Sequence, residues 1–219
     1  MREAEEIKTK RLVIRAWSDD ELRAALDRDQ TAVCLRIYNS MLAGVTSYPL
    51  HRLWHTNWEI CLRSNGVTVG EIGFMGHANE RGEVEIACAI LHEYRHKCYA
   101  REAVAAMTKW AFQNEDVYYI MAEEARDGMA AERALTRLGF RPTERFGEEG
   151  RYYEIERPFV SNLKTMMSLG VTFGLLLGAV LVRNLTAGTL IGAAAGYAVG
   201  SILDAKERKK RENLRQMRQ

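Results

Sequence analysis

The sequence predicts a mixed α/β domain that is followed by a C-terminal apolar helical hairpin. Strand-like and helix-like patterns alternate up to about residue 157, as in an α/β domain. Charged residues are dense there and again after Asp204, whereas residues 165–203 carry one formal charge, Arg183. Glycine also recurs at every fourth position near the C-terminus. We therefore divide the chain into a globular domain at 1–158, an apolar hairpin at 159–205 and a basic tail at 206–219.

Composition narrows the class of protein. The chain has 219 residues, of which 47% are hydrophobic, and a net charge of +2; this length allows one ordinary domain and an additional segment. The near-neutral charge does not indicate nucleic-acid binding. The opening "MREAEEIKTKRLVIRAW" is charged and has no apolar core of a signal peptide, so we expect a cytoplasmic domain. The four cysteines lack zinc-ligand spacing, so we expect reduced thiols and no metal.

The domain begins with a strand and two helices. The run "RLVIRAW" at 11–17 is rich in β-formers. Ser18, Asp19 and Asp20 are N-cap candidates for the helix "ELRAALDRD". Apolar residues at helical spacing predict a second helix over 32–44.

Three strands come next. The runs "NWEICLRS" and "VTVGEIGFMG" flank Asn65-Gly66, which predicts a β-hairpin by its turn chemistry. The run "GEVEIACAIL" at 82–91 alternates and then becomes continuously apolar, as a central strand does.

The rest of the domain reads helix, strand, helix and hairpin. An apolar stripe predicts a helix over 100–112, and "VYYIMAE" predicts a strand. The segment "GMAAERALTRLGF" predicts a helix that ends at Gly139, and "FRPTERFGEEGRYYEIER" predicts a final strand pair.

The order of these elements and three motifs resemble a known family. The opening "TKRLVIR", the strand-turn-helix "ACAILHEYRHKCYAREAV" and the ending "ALTRLGFR" are similar to the GNAT superfamily of N-acetyltransferases, most of all the branch that acetylates ribosomal-protein N-termini. The resemblance spans residues 8–157 and implies a GNAT-like mixed central sheet flanked by helices. It also implies that acetyl-CoA, as co-substrate, donates an acetyl group to a primary amine of a protein N-terminus or small molecule.

The resemblance implies a cofactor site at a loop that enters a helix. Backbone N–H groups and the positive end of a helix dipole can hold the pyrophosphate of acetyl-CoA there. The family pattern of Arg or Gln, two residues, Gly, one residue, and Gly or Ala corresponds to Arg95, Cys98 and Ala100. The candidate cofactor residues are Arg95, His96, Lys97, Cys98, Tyr99, Ala100 and Arg101. Their four basic groups could instead belong to a solvated helix start.

The strand before this loop is the second cofactor element that the resemblance implies. In the family its end splays from the neighbouring strand, the pantetheine arm pairs with it, and a backbone N–H polarises the thioester carbonyl. By position this role corresponds to Ala89, Ile90 and Leu91.

Acetyl transfer also requires groups that move protons. Glu83 and Glu85 lie two apart on a predicted strand and share a face, and Glu85 is the candidate base, acting through water. Tyr119 is the candidate acid for the leaving thiolate. The alternatives are ordinary strand glutamates and a tyrosine that fills a half-buried position.

Several positions depart from the family pattern. Cys98 replaces a glycine, while Gly128, Ala131 and Leu135 stand where relatives carry polar groups. An alternative function follows: a catalytically degenerate fold that serves as a docking module of a membrane-active or structural protein, for example a phage virion or ejection protein. Acetyl-CoA binding would distinguish the two.

The C-terminal hairpin has the pattern of a membrane segment. The runs 165–182 and 185–203 are uncharged and 18 and 19 residues long, close to the roughly 20 that cross a hydrocarbon core. Glycines at four-residue spacing allow close helix contact in lipid and favour homo-oligomers. They are Gly170, Gly174 and Gly178 in the first run, and Gly188, Gly192, Gly196 and Gly200 in the second. The alternative is a soluble hairpin packed in a larger assembly.

Flanking charges predict the orientation of the hairpin. Arg183-Asn184 forms a minimal turn, and the tail "AKERKKRENLRQMRQ" is basic. The positive-inside rule then keeps the globular domain and the tail on the cytoplasmic side of a lipid bilayer; the alternative function would make the protein virion-associated. The tail has no aromatic residue for base stacking, so we expect no nucleic-acid partner.

Overall fold

The computed structural model describes residues 5–28, 31–124, 129–148, 150–179 and 184–218. The chain divides into two compact units, Met1–Arg157 and Pro158–Gln219.

The first unit contains one mixed sheet and four helices among its described residues. The strands are β1 (Glu6–Lys8), β2 (Leu12–Ala16), β3 (Asn57–Leu62), β4 (Thr68–Phe74), β5 (Glu83–Ile90), β6 (Tyr119–Glu123), β7 (Arg141–Phe146) and β8 (Arg151–Glu156). The helices are α1 (Asp19–Arg28), α2 (Ala32–Ser47), α3 (Tyr99–Ala111) and α4 (Met129–Arg137). Sheet order is β1-β2-β3-β4-β5-β6-β8-β7. Among these described strands, only β5 and β6 pair in parallel. The predicted mixed α/β fold is confirmed.

The helix starts follow from short polar contacts. Ser18 Oγ accepts from the Glu21 backbone N–H, and the Glu21 carboxylate accepts from the Ser18 N–H at 2.7 Å, which makes a reciprocal capping box. Thr31 Oγ1 accepts from the Cys34 N–H at the start of α2. Of the three predicted N-cap candidates, Ser18 therefore caps α1.

The predicted hairpin turn is also confirmed. β3 and β4 pair antiparallel across Asn65-Gly66, and Gly66 has a φ of +71°, which favours glycine. The Asn65 side-chain oxygen accepts from the Val67 N–H at 3.2 Å. Local chemistry thus sets the register of this pair.

The core lies between the sheet and α3. The buried stripe of α3, which includes Ala103, Met107 and Ala111, joins Ile60 and Ile120 of the strands in one apolar cluster. Burial of such a stripe stabilises the helix by about 25 cal/mol per Å² of apolar area. It also fixes the N-terminus of α3 beside the end of β5.

Two features of this unit were absent from the prediction. β1 adds a short edge strand, and Pro49–Trp54 forms a 3-10 helix. The four cysteines are unpaired, and Cys98 is exposed.

The second unit is a pair of helices, α5 (Leu163–Leu177) and α6 (Leu185–Arg218). Their contacts run in opposite directions along the chain, so the helices are antiparallel. A Cβ atom on Gly170 would overlap the Gly192 carbonyl oxygen, and one on Gly174 would overlap that of Gly188. The glycines therefore allow the two backbones to touch.

These contacts bear on the predicted oligomer. Glycines of α5 and α6 already face each other within one chain, so association of copies through the same faces would have to replace that contact. The homo-oligomer stays a prediction.

The outer faces of both helices are apolar. Exposed large residues there include Leu169, Phe173, Leu176, Leu190, Ile191 and Ile202. Among the described residues, α6 is the one helix that is long and apolar enough to cross a membrane by length and composition, and α5 is a shorter apolar helix. The end of the predicted span 165–182, residues 180–182, and the turn residue Arg183 lie outside the described residues. α6 continues through the basic tail to Arg218.

A buried carboxylate closes the open end of this pair. Asp204 of α6 is 8% exposed. It accepts from the Ser161 hydroxyl at 2.5 Å and from the Asn162 N–H at 2.8 Å, just before α5 begins. These hydrogen bonds lower the pKa of Asp204, so the contact carries a negative charge at the positive end of the α5 dipole.

Candidate active site

The sheet opens where β5 and β6 stop pairing. Their ladder contains the pairs Glu83–Tyr119, Val84–Ile120 and Glu85–Met121 and then ends. β5 remains paired with β4 as far as Ile90. The second half of β5 therefore has one free edge, which faces a gap in the sheet.

A cleft of about 740 Å³ occupies this gap. Its walls come from β5, the start of α3, the end of β6, α4, and the β7–β8 segment. Lining residues include Glu85, Cys88, Ala100, Arg101, Glu123, Leu135 and Tyr152. This size is typical of a small-molecule or cofactor site.

Backbone alternation determines which groups of β5 face the cleft. The Leu91 N–H donates to the Val69 carbonyl of the β4 side at 2.9 Å. Successive residues of a strand direct their N–H groups to opposite sides, so those of Cys88 and Ile90 face the free edge. Of the three predicted residues Ala89, Ile90 and Leu91, Ile90 is thus the one whose N–H is directed into the gap.

The predicted cofactor loop lies beside this edge. His96 and Cys98 have φ values of 63° and 61°, in the left-handed region that favours glycine. Cys98 precedes the first residue of α3, and no side chain caps the helix there. The first N–H groups of α3, from Tyr99 onward, have no partner within the helix. Cys98 adopts the backbone conformation that a glycine would take at this position.

The loop is basic, and one of its side chains reaches the strand. Arg95 Nε donates to the carbonyl oxygen of Ile90 at 3.2 Å. Lys97 Nζ lies 5.1 Å from the centre of the Tyr94 ring, while Ala100 and Arg101 line the cleft itself. The structure therefore brings the predicted strand end and the predicted loop together.

A set of hydrogen bonds between residues 9–11 and Glu102, which the sequence did not predict, holds the loop; we call it the brace. Arg11 donates from Nε to Glu102 at 2.7 Å and from Nη1 to the Lys97 carbonyl at 3.1 Å. The Thr9 hydroxyl and the Arg11 N–H bind the other oxygen of Glu102. These bonds lower the pKa of Glu102 against the effect of its burial. The motif "TKR" carries part of the family resemblance. Its contact with Glu102 joins segments that are about 90 residues apart in sequence, so no local pattern predicts it.

Glu85 lies at the point where the ladder ends. Burial raises the pKa of its carboxyl above the ordinary 4.5, and the charge of Glu123 adds to this, while a hydrogen bond from Tyr152 opposes it. The Tyr152 hydroxyl donates to Glu85 Oε2 at 3.3 Å. Burial and the charges of Glu85 and Glu123 raise the pKa of Tyr152 to about 12. Tyr152 is a further site residue that the sequence did not indicate.

The other two predicted proton-moving positions differ from Glu85. Glu83 is 6% exposed and binds Arg145 at 2.9 Å and Asn79 at 3.1 Å, so its charge is neutralised within the fold. Tyr119 is 2% exposed and pairs with Glu83 and Glu156 in the closed part of the sheet. It is not among the described residues that line the cleft.

Two of the positions at which small or apolar residues replace the polar groups of the family pattern also lie at the cleft. Ala131 and Leu135 of α4 line its wall, and Gly128 lies outside the described residues. Where the described chain is concerned, no group of three His, Cys, Asp or Glu side chains could hold a metal ion.

A smaller cavity of about 300 Å³ adjoins the cleft. It shares Met75, Glu85 and Tyr152 with the cleft, and its other polar lining residues are His77, Asn79, Glu83 and Arg145. His77 Nδ1 is 2.9 Å from His55 Nε2, and burial lowers the pKa of both histidines. Glu85 and Tyr152 thus stand between two cavities.

Comparison with known proteins relates this geometry to one family. Residues 11–141, more than half of the chain, match the acetyltransferase (GNAT) domain family. The chain is 34% identical over 84 residues to the uncharacterized N-acetyltransferase YjdG of Bacillus subtilis, which is 38% of this chain and 50% of that protein. The chain thus spans about half the length of this curated relative.

Solved structures share the fold. A putative ribosomal-protein-serine acetyltransferase of Vibrio cholerae superposes with a TM-score of 0.52 at 14% identity, over 72% of this chain and 100% of that one. An acetyltransferase of Agrobacterium tumefaciens gives a TM-score of 0.54 at 18% identity, over 72% of this chain and 97% of that one. At these identities the likeness concerns the fold alone. Taken with the family match, it shows that the protein belongs to the GNAT acetyltransferase family, whose members use acetyl-CoA as the acetyl donor.

Proposed function

We propose that the first unit transfers the acetyl group of acetyl-CoA to a primary amine, either a protein N-terminus or a small molecule. The observation that carries the proposal is the free edge of β5 beside the basic loop at 95–100, with Arg95 bonded to Ile90. A strand edge can bind an extended arm, and a helix start can bind a pyrophosphate. Acetyl-CoA carries both an extended pantetheine arm and a pyrophosphate, so its binding site requires both features.

The residues have defined parts in this proposal. Amide N–H groups at the start of α3 and the side chain of Arg95 bind the pyrophosphate. The N–H groups of Cys88 and Ile90 pair with the pantetheine arm and polarise the thioester carbonyl. Glu85 removes a proton from the acceptor amine, directly or through water.

Titration of acetyl-CoA into the detergent-solubilised full chain tests the donor site. We expect binding by the wild type and at least a tenfold loss in Arg95→Glu, because the variant places a carboxylate next to the phosphates. The charge-matched control is Arg36→Glu on the exposed side of α2, which should bind as the wild type does. Absence of binding by the folded wild type would overturn the enzyme proposal in favour of the docking module.

We further propose that α5 and α6 attach the protein to a lipid bilayer. The proposal rests on the exposed apolar outer faces of both helices, the length of α6, and the basic residues that follow Asp204. Apolar outer faces and glycines at the helix contact suit lipid as the solvent. Basic residues on one flank suit the cytoplasmic side.

Vesicle flotation tests the attachment. The full chain should float with phosphatidylcholine vesicles that contain phosphatidylglycerol. It should also stay bound to the vesicles when they are washed with alkaline carbonate. Leu190→Arg introduces a charge on the outer face of α6, where Leu190 is 72% exposed, and should reduce the floated fraction. Leu50→Arg is the control, since Leu50 is 96% exposed in the first unit. A wild type that stays soluble without vesicles and does not float would favour a protein assembly.

A further inference from the structure

The exposed side of α6 changes from apolar to basic within about one helical turn. Val199 and Ile202 are 48% and 57% exposed. Lys206 and Lys209 are exposed on the same side, because steps of three or four residues return to one face of a helix. Lys210 is exposed beside them. We call these three lysines the lysine face; it continues the apolar outer face of α6 without a break in the helix.

Two arginines of the same segment are bonded inside the second unit. Arg211 is 8% exposed and donates from Nε to Glu207 at 2.9 Å and from Nη2 to the Pro158 carbonyl at 3.3 Å. The guanidinium groups of Arg208 and Arg211 lie 5.2 and 5.6 Å from the centre of the Phe159 ring. These two side chains therefore contribute to the packing of the unit itself.

The charge of the tail is strongly positive. Residues 206–219 contain seven Lys or Arg and two Glu, a net charge of +5. One of the two glutamates, Glu207, is bonded within the tail, and the carboxylate of Asp204 is bonded to the start of α5. A surface with this excess of positive charge attracts a partner with negative charge.

The position of the lysine face along α6 matches the depth of lipid headgroups. At a rise of 1.5 Å per residue, Lys206 lies about 6 Å and Lys210 about 12 Å beyond Ile202. The polar layer on each side of the hydrocarbon core is about 5–8 Å thick. A lysine side chain also extends along the helix to keep its ammonium group in a polar layer. With Ile202 at the edge of the hydrocarbon, the ammonium groups therefore reach the lipid phosphates.

We propose that the lysine face binds the phosphate groups of anionic phospholipids, so that the second unit selects a negatively charged membrane surface. The inference rests on the proposed attachment of α5 and α6 to a bilayer. An ammonium group binds a phosphate as a point charge, and each lysine near an anionic surface strengthens binding about fivefold. A nucleic acid would also attract lysines, but it would leave the adjoining apolar stripe at Val199 and Ile202 in water.

Native mass spectrometry of the full chain in nonionic detergent tests this selectivity. The detergent contains equal amounts of phosphatidylglycerol and phosphatidylcholine, and the bound lipids are counted. We expect the wild type to prefer phosphatidylglycerol by at least about tenfold. The triple variant Lys206→Gln, Lys209→Gln, Lys210→Gln should reduce the preference to less than about twofold. Higher ionic strength should weaken the wild-type preference, because salt screens exposed charges.

Two triple variants are the controls. Replacement of the lysine face by arginine keeps the charge and should keep the preference. Arg28→Gln, Arg36→Gln and Lys109→Gln together remove the same charge from exposed positions of the first unit and should also keep it. All these positions are exposed, so helical circular dichroism should be the same in every variant.

Failure of the lysine contact differs from failure of the attachment. A wild type that floats with vesicles but binds the two lipids equally would overturn the contact alone. An equal loss of preference in the first-unit triple variant would overturn it too, because net charge would then account for the selectivity. Lysine-dependent binding of RNA, without a preference between the lipids, would assign the lysine face to a nucleic acid instead. A wild type that floats with neither neutral nor anionic vesicles would overturn the attachment itself.

Discussion

The guanidinium of Arg11 bridges Glu102 and the carbonyl of Lys97, at 2.7 and 3.1 Å. Lys97 stands between His96 and Cys98, the two residues of the loop with left-handed backbone. The Arg11 guanidinium also lies 4.7 Å from the centre of the Tyr99 ring. The side chain of Arg11, the residue just before β2, thus holds in place the loop to which acetyl-CoA is proposed to bind.

Removal of this brace should weaken donor binding without affecting the chemical step. We expect Arg11→Met to raise the Kd for acetyl-CoA about tenfold, because a charge-assisted hydrogen bond contributes about 1.5–3 kcal/mol and the loop would have to be ordered by the ligand instead. Calorimetry measures the Kd, and kcat at saturating donor should stay within about twofold. Arg23→Met, which breaks an exposed pair with Asp20, is the control. An equal effect of both variants would contradict the brace.

The left-handed conformation at Cys98 allows a second prediction. Cys98→Gly removes a backbone strain of about 1–2 kcal/mol, while the greater freedom of glycine in the unfolded chain costs about 0.4–1 kcal/mol. The free energy of unfolding should therefore rise by about 0–1.6 kcal/mol. Urea titration followed by tryptophan fluorescence measures it, since all four tryptophans lie in the first unit.

Two further substitutions separate backbone from sulfur at this position. Cys98→Ala removes the sulfur and keeps the backbone strain. Its free energy of unfolding should therefore differ less from that of the wild type than the free energy of Cys98→Gly does. Cys98→Val should be clearly less stable, because β-branched residues are rare at positive φ. A stable Cys98→Val protein would show that the loop relaxes at little cost.

The environment of Glu85 predicts opposite effects on stability and activity. Its pKa is raised in the folded protein, so the folded state binds this proton more tightly than the unfolded state. The resulting destabilisation is absent below the unfolded value of about 4.5, grows as pH rises through the folded pKa, and is complete above it. Glu85→Gln should therefore unfold at higher urea than the wild type at pH 8 and at similar urea at pH 4.

The catalytic rate of the wild type should rise with pH over the range in which its stability falls. The wild-type rate should rise with pH across the pKa of Glu85, which must be charged to accept a proton, and Glu85→Gln should lose both the rate and this acid limb. Glu80→Gln, an exposed loop residue, should change neither stability nor rate. A Glu85→Gln variant that is less stable at pH 8 would indicate a structural role for the carboxylate.

The elements that could be predicted from sequence are those set by local chemistry. The hairpin at Asn65-Gly66 and the cap at Ser18 depend on residues within three positions of each other. β1 was missed because Glu6–Lys8 is three residues long and has no clear alternation. Its pairing with β2, rather than its own pattern, makes it a strand.

The candidate site was predictable only in part for the same reason. Arg95 and Cys98 could be proposed as site residues from sequence because the loop and the helix start are contiguous there. Tyr152 contacts Glu85 across 67 positions, and that contact depends on the β6–β8 register, which no local pattern specifies. The alternation in "RYYEIE" gives the face of Tyr152 within its strand but not the strand it meets.

The close contact of α5 and α6 supports a last prediction. Gly192→Ala gains about 1 kcal/mol of helix propensity. The added Cβ, however, would overlap the Gly170 carbonyl oxygen and lie 2.8 Å from the Gly174 Cα, and these backbone atoms cannot move without separating the helices. Overpacking of this kind costs about 1–3 kcal/mol, so the clash should outweigh the gain. We expect a lower midpoint of unfolding for the second unit when helical circular dichroism is followed during titration with sodium dodecyl sulfate.

The control for this prediction lies two residues further along α6. Ala194 is exposed, and a step of two residues turns to the far side of a helix, so Ala194→Leu adds more volume without touching α5. It should leave the midpoint unchanged. A Gly192→Ala variant with a higher midpoint would mean that propensity outweighs the contact and that the helices do not depend on glycine at their contact. Equal loss in both variants would mean that the far side of α6 is occupied as well, as in an association of copies.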